Sequence, residues 1–248
     1  MYYHLKDHIY ITQFRDELIL LDTKADKYTI YFKSISNLIC NLLENVDNEN
    51  KGKSTTSLNA RLLSNQELGY TQKLLADNIL ESKDSPYPYS IDRKPTSEGV
   101  SDVDWRLPLD AKNAKINLAV LGALFTLIKV NFYIQIKGFY RTIQLIKASK
   151  DLKRNYITPS EENLRKLACV VNRACLLYPT RTKCLEWAIT FILLALKRGW
   201  KCNLEIGVQN YPFMAHAWVE CEGKVVEDDQ MLREGLGIIL NEPFRRLA

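Results

Sequence analysis

His216 and Cys184 are the side chains whose types suit proton transfer and nucleophilic attack near neutral pH. Of three histidines in 248 residues, only His216 lies beyond the first eight positions. An imidazole with an ordinary pKa of about 6.5 both takes and gives a proton. Cys184 opens an apolar stretch from Thr182 to Arg198 that reads as a helix hydrophobic on every face and therefore central. A thiol in the first helical turn meets unpaired backbone N–H groups and the positive end of the helix dipole, which favour its thiolate.

The elements that must position these residues follow from the local pattern. Three strands are expected after the central helix, at Asn203 to Val208, Met214 to Cys221 and Lys224 to Glu227. Gly199 ends the helix, and Glu222-Gly223 makes the last strand pair a hairpin. Strand alternation places His216, Trp218 and Glu220 on one face. The hairpin folds a residue near Asp228 back toward His216, where a carboxylate orients the imidazole. Glu227 and Asp229 compete for that role because register decides the face, with Glu220 a weaker candidate. The competing reading is that Cys184 and His216 are ordinary core residues; Cys40, Cys169, Cys175, Cys202 and Cys221 are all explained by packing.

Cysteine spacing excludes several classes. No Cys-x-x-Cys pair and no secretory leader is visible, so the cysteines read as reduced thiols in a cytoplasmic protein without a zinc site. Between Lys112 and Arg154 nine basic residues face a single acid, Asp151, which reads as a solvated helix face before a docking surface. The apolar run Leu118 to Ile128 is eleven residues, too short for a bilayer, and is expected as a buried or interfacial helix with no transmembrane segment. A net charge of +5 permits nucleic-acid binding, but the first third lacks a Lys/Arg-rich recognition helix and no nucleic-acid partner is expected.

The chain divides into an N-terminal unit over residues 1–82, a linker over 83–109 and a C-terminal region over 110–248. The first unit reads as a meander of Ile9 to Gln13, Leu18 to Asp22 and Tyr28 to Phe32, then a helix bearing Leu38, Ile39, Leu42 and Leu43. The polar stretch Asp47 to Ser57 precedes a second helical region carrying Leu68, Leu74, Leu75, Ile79 and Leu80. Pro86, Pro88, Pro95 and Pro108 mark the linker. Helices resume from about Asp110 to Lys153 and from a Ser160 cap to about Leu177. The fold class is α+β, with a small three-stranded winged-helix-like domain, a helical middle and a C-terminal catalytic domain.

Arg181-Thr182-Lys183-Cys184-Leu185, Ile206-Gly207-Val208, Pro212-Phe213, Ala215-His216-Ala217-Trp218-Val219-Glu220 and Gly223-Lys224-Val225-Val226-Glu227-Asp228 resemble the lasso peptide B proteins, leader peptidases of lasso peptide biosynthesis. The resemblance implies a transglutaminase-like, papain-related cysteine endopeptidase with Cys184 as nucleophile, His216 as base and acid, and Asp228 as orienter. Glu17 to Asp22 and Lys27 to Phe32 resemble strands of the peptide-recognition element of such pathways, here fused to the protease. That element implies leader binding at Tyr28, Thr29, Ile30 and Tyr31, against a helix containing Leu75 and Asn78. The implied partners are the precursor's leader and an asparagine-synthetase-like cyclase. No cofactor motif is visible, so any ATP dependence would come through the partner. Acyl transfer with the same triad, or a non-catalytic peptide-binding scaffold, remain the alternatives.

Overall fold

The structure is a computed structural model describing residues 2–44, 64–101, 107, 109 and 116–248. The stretch Asp47 to Ser57 and the expected helix start at Asp110 lie outside the described residues. The fold is mixed α+β, arranged around two four-stranded sheets.

The first sheet is the expected meander with additions. β1 is Tyr2–Leu5, β2 Ile9–Phe14, β3 Glu17–Asp22 and β4 Lys27–Tyr31. β2, β3 and β4 pair antiparallel, with Thr12 opposite Ile19 and Leu20 opposite Thr29. Arg15 and Asp26 take positive φ of 55° and 50° at the two turns. The four successive apolar residues Leu18-Ile19-Leu20-Leu21 show why this sheet is not a free module. Leu18 and Leu20 point to α1, Lys33–Leu43, while Ile19 and Leu21 enter the core of the C-terminal region. A strand buried on both faces loses polar alternation.

α2, Asn65–Ala76, begins with a reciprocal cap. Ser64 Oγ accepts from the Glu67 N–H at 3.2 Å, and the Glu67 carboxylate accepts from the Ser64 N–H at 2.8 Å. The helix is shorter than expected: Asn78 lies beyond its end at φ 56°, and Leu80 starts β5, Leu80–Lys83, which pairs with β1. The left-handed Asn78 turn reverses the chain, and strand pairing then buries Leu80 more fully than another helical turn would.

The proline-rich segment is no loose tether where it is described. β6, Arg93–Lys94, adds parallel to β2 and completes the order β4-β3-β2-β6. Tyr87 is buried and its hydroxyl accepts from Arg245 at 2.8 Å. Asp92 accepts from the Ile238 N–H at 2.8 Å, and Gln209 accepts from the Val100 N–H at 2.7 Å. Proline excludes a long ladder, so side-chain hydrogen bonds tie this segment to the C-terminal region instead.

The C-terminal region stacks helices on the second sheet. α3, Leu118–Ser149, extends the eleven-residue apolar run to thirty-two residues and breaks at Gly138, φ 78° and ψ 172°. α4, Glu161–Leu177, starts at the expected Ser160, whose Oγ accepts from the Asn163 N–H at 3.3 Å. α5, Cys184–Arg198, is the buried central helix, closed by left-handed Gly199 at φ 77°. Four antiparallel strands follow: β7 Asn203–Gln209, β8 Met214–Cys221, β9 Lys224–Val225 and β10 Gly237–Glu242, in the order β10-β7-β8-β9. α6, Met231–Gly235, precedes β10. Neither α6 nor β10 is expected from the sequence, and β9 is two residues shorter than expected. The two sheets are tied by Tyr10 donating to Glu242 at 3.0 Å and Asn210 donating to Glu17 at 2.6 Å.

Candidate active site

Cys184 is the first residue of α5, and the helix is fixed from three sides. The Glu186 carboxylate caps backward onto the Lys183 N–H at 2.8 Å and accepts from Asn131 of α3 at 3.0 Å. Trp187 donates its indole N–H to Asn172 of α4 at 2.7 Å. A helix start held this way fixes the Cα–Cβ direction of its first residue.

β8 carries His216 beside that start. Its cross-strand partner is Gly207, where a Cβ would lie 2.3 Å from the Trp218 ring, so only glycine lets that indole lie across β7. Trp218 is held in turn by donating to Glu205 at 3.1 Å. His216 is buried, and its Nε2 meets Asp228 Oδ2 at 2.9 Å. A hydrogen bond also joins His216 to the Cys184 thiol. With Nε2 engaged by Asp228, the imidazole bridges thiol and carboxylate in series.

One backbone residue decides which carboxylate meets His216. The hairpin turn Glu222-Gly223 has φ of 49° and 85°, as a tight right-twisted hairpin requires. Pairing continues through Val226, whose N–H donates to Val219 at 2.9 Å. Glu227 then takes φ 53°, breaking the ladder and turning the Asp228 carboxylate toward His216. Glu227 itself faces Arg165 at 3.9 Å, and Asp229 accepts from the Met231 N–H at 2.9 Å. Glu220 accepts from Asn203 at 3.2 Å and from the Gly223 N–H. The three rivals are occupied elsewhere.

Electrostatics separates the charges of the pair. Burial opposes the Cys184 thiolate, but the His216 hydrogen bond and charge, with the N–H groups of Ala217 and Leu185, outweigh it and lower the thiol pKa. Burial likewise opposes the imidazolium, yet the hydrogen bonds and charges of Asp228 and Cys184 raise His216 to about 9. Both shifts run toward a thiolate–imidazolium pair, the arrangement needed to attack a carbonyl and then protonate a leaving amine.

The expected peptide-binding residues fall into two groups. Tyr28, Thr29, Ile30 and Tyr31 lie on β4, at the end of its sheet. Tyr28 is pushed up to about 12 by burial, then by the charges of Asp26 and Cys184, which places it within electrostatic reach of the thiol. Leu75 sits half-buried on α2, and the α2 end reaches β4, where burial and the charge of Asp77 raise Tyr31. Asn78 is exposed beyond the helix. Phe213, which sequence reasoning placed only in the Pro212-Phe213 motif and gave no role, meets Tyr28 at 5.1 Å between ring centroids. His4 and His8 are buried near Tyr87 and Tyr140 and are remote from this chemistry.

Cys184 at a helix start and His216 on the strand beside it fall, with Asp228, within residues 126–241, which match the family model of the transglutaminase-like superfamily. Over 138 residues the chain is 27% identical to the Microcin J25-processing protein McjB of Escherichia coli, a match covering 54% of this chain and 64% of that protein. Both likenesses agree with the resemblance to the lasso peptide B proteins carried by the motifs around Cys184 and His216. The match thus spans less than two thirds of its curated relative's length. No solved structure matches.

Proposed function

We propose that the protein is a cysteine endopeptidase that removes the leader from a ribosomally made lasso peptide precursor. The observation that carries this reading is the series Cys184, His216, Asp228, with its 2.9 Å histidine–carboxylate contact. The Escherichia coli relative, named as a microcin-processing protein, agrees with it.

In this reading the leader adds as a strand to the outer edge of β4, gaining main-chain hydrogen bonds, with side chains seated toward α2. Tyr28 then leads the chain toward Cys184, so binding at β4 raises the local concentration of the scissile bond. The Cys184 thiolate attacks the carbonyl, and backbone N–H groups at the start of α5 stabilise the oxyanion. His216 protonates the leaving amine of the core peptide and the C–N bond breaks, leaving a thioester to the leader. The now neutral imidazole takes a proton from water, which attacks the thioester, releases the leader carboxylate and restores the thiol. The freed core amine passes to an asparagine-synthetase-like cyclase, the partner that activates the core for ring closure; any ATP is consumed there. The cytoplasm is the compartment in which these reduced cysteines and a newly made precursor meet.

Incubating purified protein with its precursor should release leader and core, each detected by mass, and Cys184→Ala should release neither. Unchanged cleavage by that variant would overturn the proposal. The transglutaminase-like match favours one second reading, transfer of the acyl group to an amine. Hydrolysis adds the mass of water across the products, whereas transfer gives a joined product.

A further inference from the structure

α3 presents two apolar faces, and only one is used. Val120, Ala123, Leu127 and Val130 are fully buried against the core. On the opposite side Leu118 is 87% exposed, Leu121 41%, Phe125 73%, Ile128 44%, Phe132 58% and Ile136 58%. Their spacing of three or four residues aligns them in one stripe, about 27 Å long at ~1.5 Å rise per residue. Scattered exposed leucines need no explanation, but a continuous stripe with large aromatic members does.

Charge selects the occupant. Lys129 and Lys137 are the exposed charges on this stretch of helix, and no Asp or Glu occurs between positions 111 and 150. A second copy laid face to face would bring those cations against each other. A surface that is apolar within and anionic at its boundary satisfies both properties. By length and composition α3 is apolar enough to cross a membrane, with a mean hydropathy of 1.6 over its best window. Its other face is committed to the protein core, and Gly138 breaks the helix after Lys137. It can therefore lie in a bilayer surface but not span it.

We propose that the stripe from Leu118 to Ile136 docks the protein on an anionic phospholipid bilayer, with Phe125 and Phe132 inserted at the acyl boundary and Lys129 and Lys137 on the phosphates. Asn131, next to Phe132, is hydrogen-bonded to Glu186 of the helix that begins with Cys184. Docking there sets the candidate active site close to the bilayer surface while leaving β4, on the other sheet, to bind peptide.

The test uses the full chain and sedimentation with phosphatidylglycerol–phosphatidylcholine vesicles or with pure phosphatidylcholine vesicles. Wild type is expected to pellet with the mixed vesicles and to lose roughly fivefold in affinity per lysine in Lys129→Gln and Lys137→Gln. Phe125→Glu with Phe132→Glu should lower binding at least about tenfold. These positions are exposed, so circular dichroism and cleavage of free precursor should match wild type. Wild type remaining in the supernatant with mixed vesicles would overturn the proposal, as would equal pelleting by the double phenylalanine variant. A dimer in light scattering that Phe125→Glu splits, without vesicle binding, would assign the stripe to a second copy instead.

Discussion

The two sheets each have four strands, yet they leave opposite parts of themselves unpaired. The N-terminal sheet ends in β4, five half-exposed or exposed residues with a free outer edge among the described residues. In the second sheet His216 sits on β8, paired along its length to β7, while β9 covers only Glu220 and Cys221 on the other side. The short β9 leaves room beside His216, and the turn at Glu227 fills it with Asp228. An open edge suits a partner that must come and go, because main-chain donors wait for a strand. A ladder interrupted at one place suits chemistry, because its neighbours hold the reacting groups in fixed geometry. The consequence is that damage to one sheet should appear in turnover and damage to the other in substrate capture.

The largest effect should come from His216→Ala, which leaves Cys184 without a proton acceptor or a source of thiolate. Cleavage of saturating precursor is expected to fall about 10⁴-fold or more, with KM little changed. A rise in KM at unchanged kcat would break the division between the sheets. Asp228→Asn comes next, at about 10² to 10⁴ in kcat, because the amide cannot stabilise the imidazolium. Its more telling readout is pH. Catalysis needs deprotonated Cys184 and protonated His216, so activity rises as the thiol ionises and falls as the imidazolium is lost. The falling limb of wild type is expected at about 9. Because the hydrogen bond and charge of Asp228 raise that value, the variant's falling limb should move to lower pH. An unmoved limb would mean that Asp228 is packing alone. Both limbs belong to the coupled pair.

The difference between the sheets also explains what could be read from residue order. β3 and β4 are legible because Leu18 to Leu21 and Tyr28 to Tyr31 are local β-rich runs, and α5 because eleven of its residues are buried. Ser160 and Gly199 announce helix ends through chemistry of their own. The approach of Cys184 to His216 is legible because a helix start and the middle of a nearby strand leave few arrangements. β5 is not, since its partner β1 lies 75 or more positions away, as Leu5 opposite Leu80 shows, and nothing local records that pairing. Nor is the choice of Asp228 over Asp229 available from alternation. Strict continuation of the ladder from Glu220 opposite Val225 would set Asp229 opposite His216, and a non-glycine residue at positive φ is not predictable from its type.

The third prediction concerns the open edge. A peptide covering the cleavage site but lacking the leader should be cut with a kcat close to that of full precursor and a KM about 10²-fold higher, since only the tethering is lost. Adding free leader in trans should not restore KM, because it occupies β4 without delivering the scissile bond. Equal KM for both substrates would remove β4 from recognition and leave the active site to do its own selecting.

The smallest effect belongs to α2, and it tests whether the groove beside β4 extends to that helix. Ser64→Ala removes one half of the reciprocal cap and should cost about 1 kcal/mol of helix stability. The helix end near Tyr31, at Ala76, is twelve residues from Ser64, so fraying at the start reaches the groove only through the rigidity of the whole helix. Leader affinity, measured by fluorescence anisotropy, is expected to weaken about two- to fivefold, while the leaderless peptide is cut at the wild-type rate. A change of the same size in both measurements would mean that α2 acts through β3, because Leu74 clusters with Leu18 and Leu20, whose neighbours Ile19 and Leu21 enter the core of the C-terminal region. A change confined to leader binding assigns α2 to the capturing side together with β4.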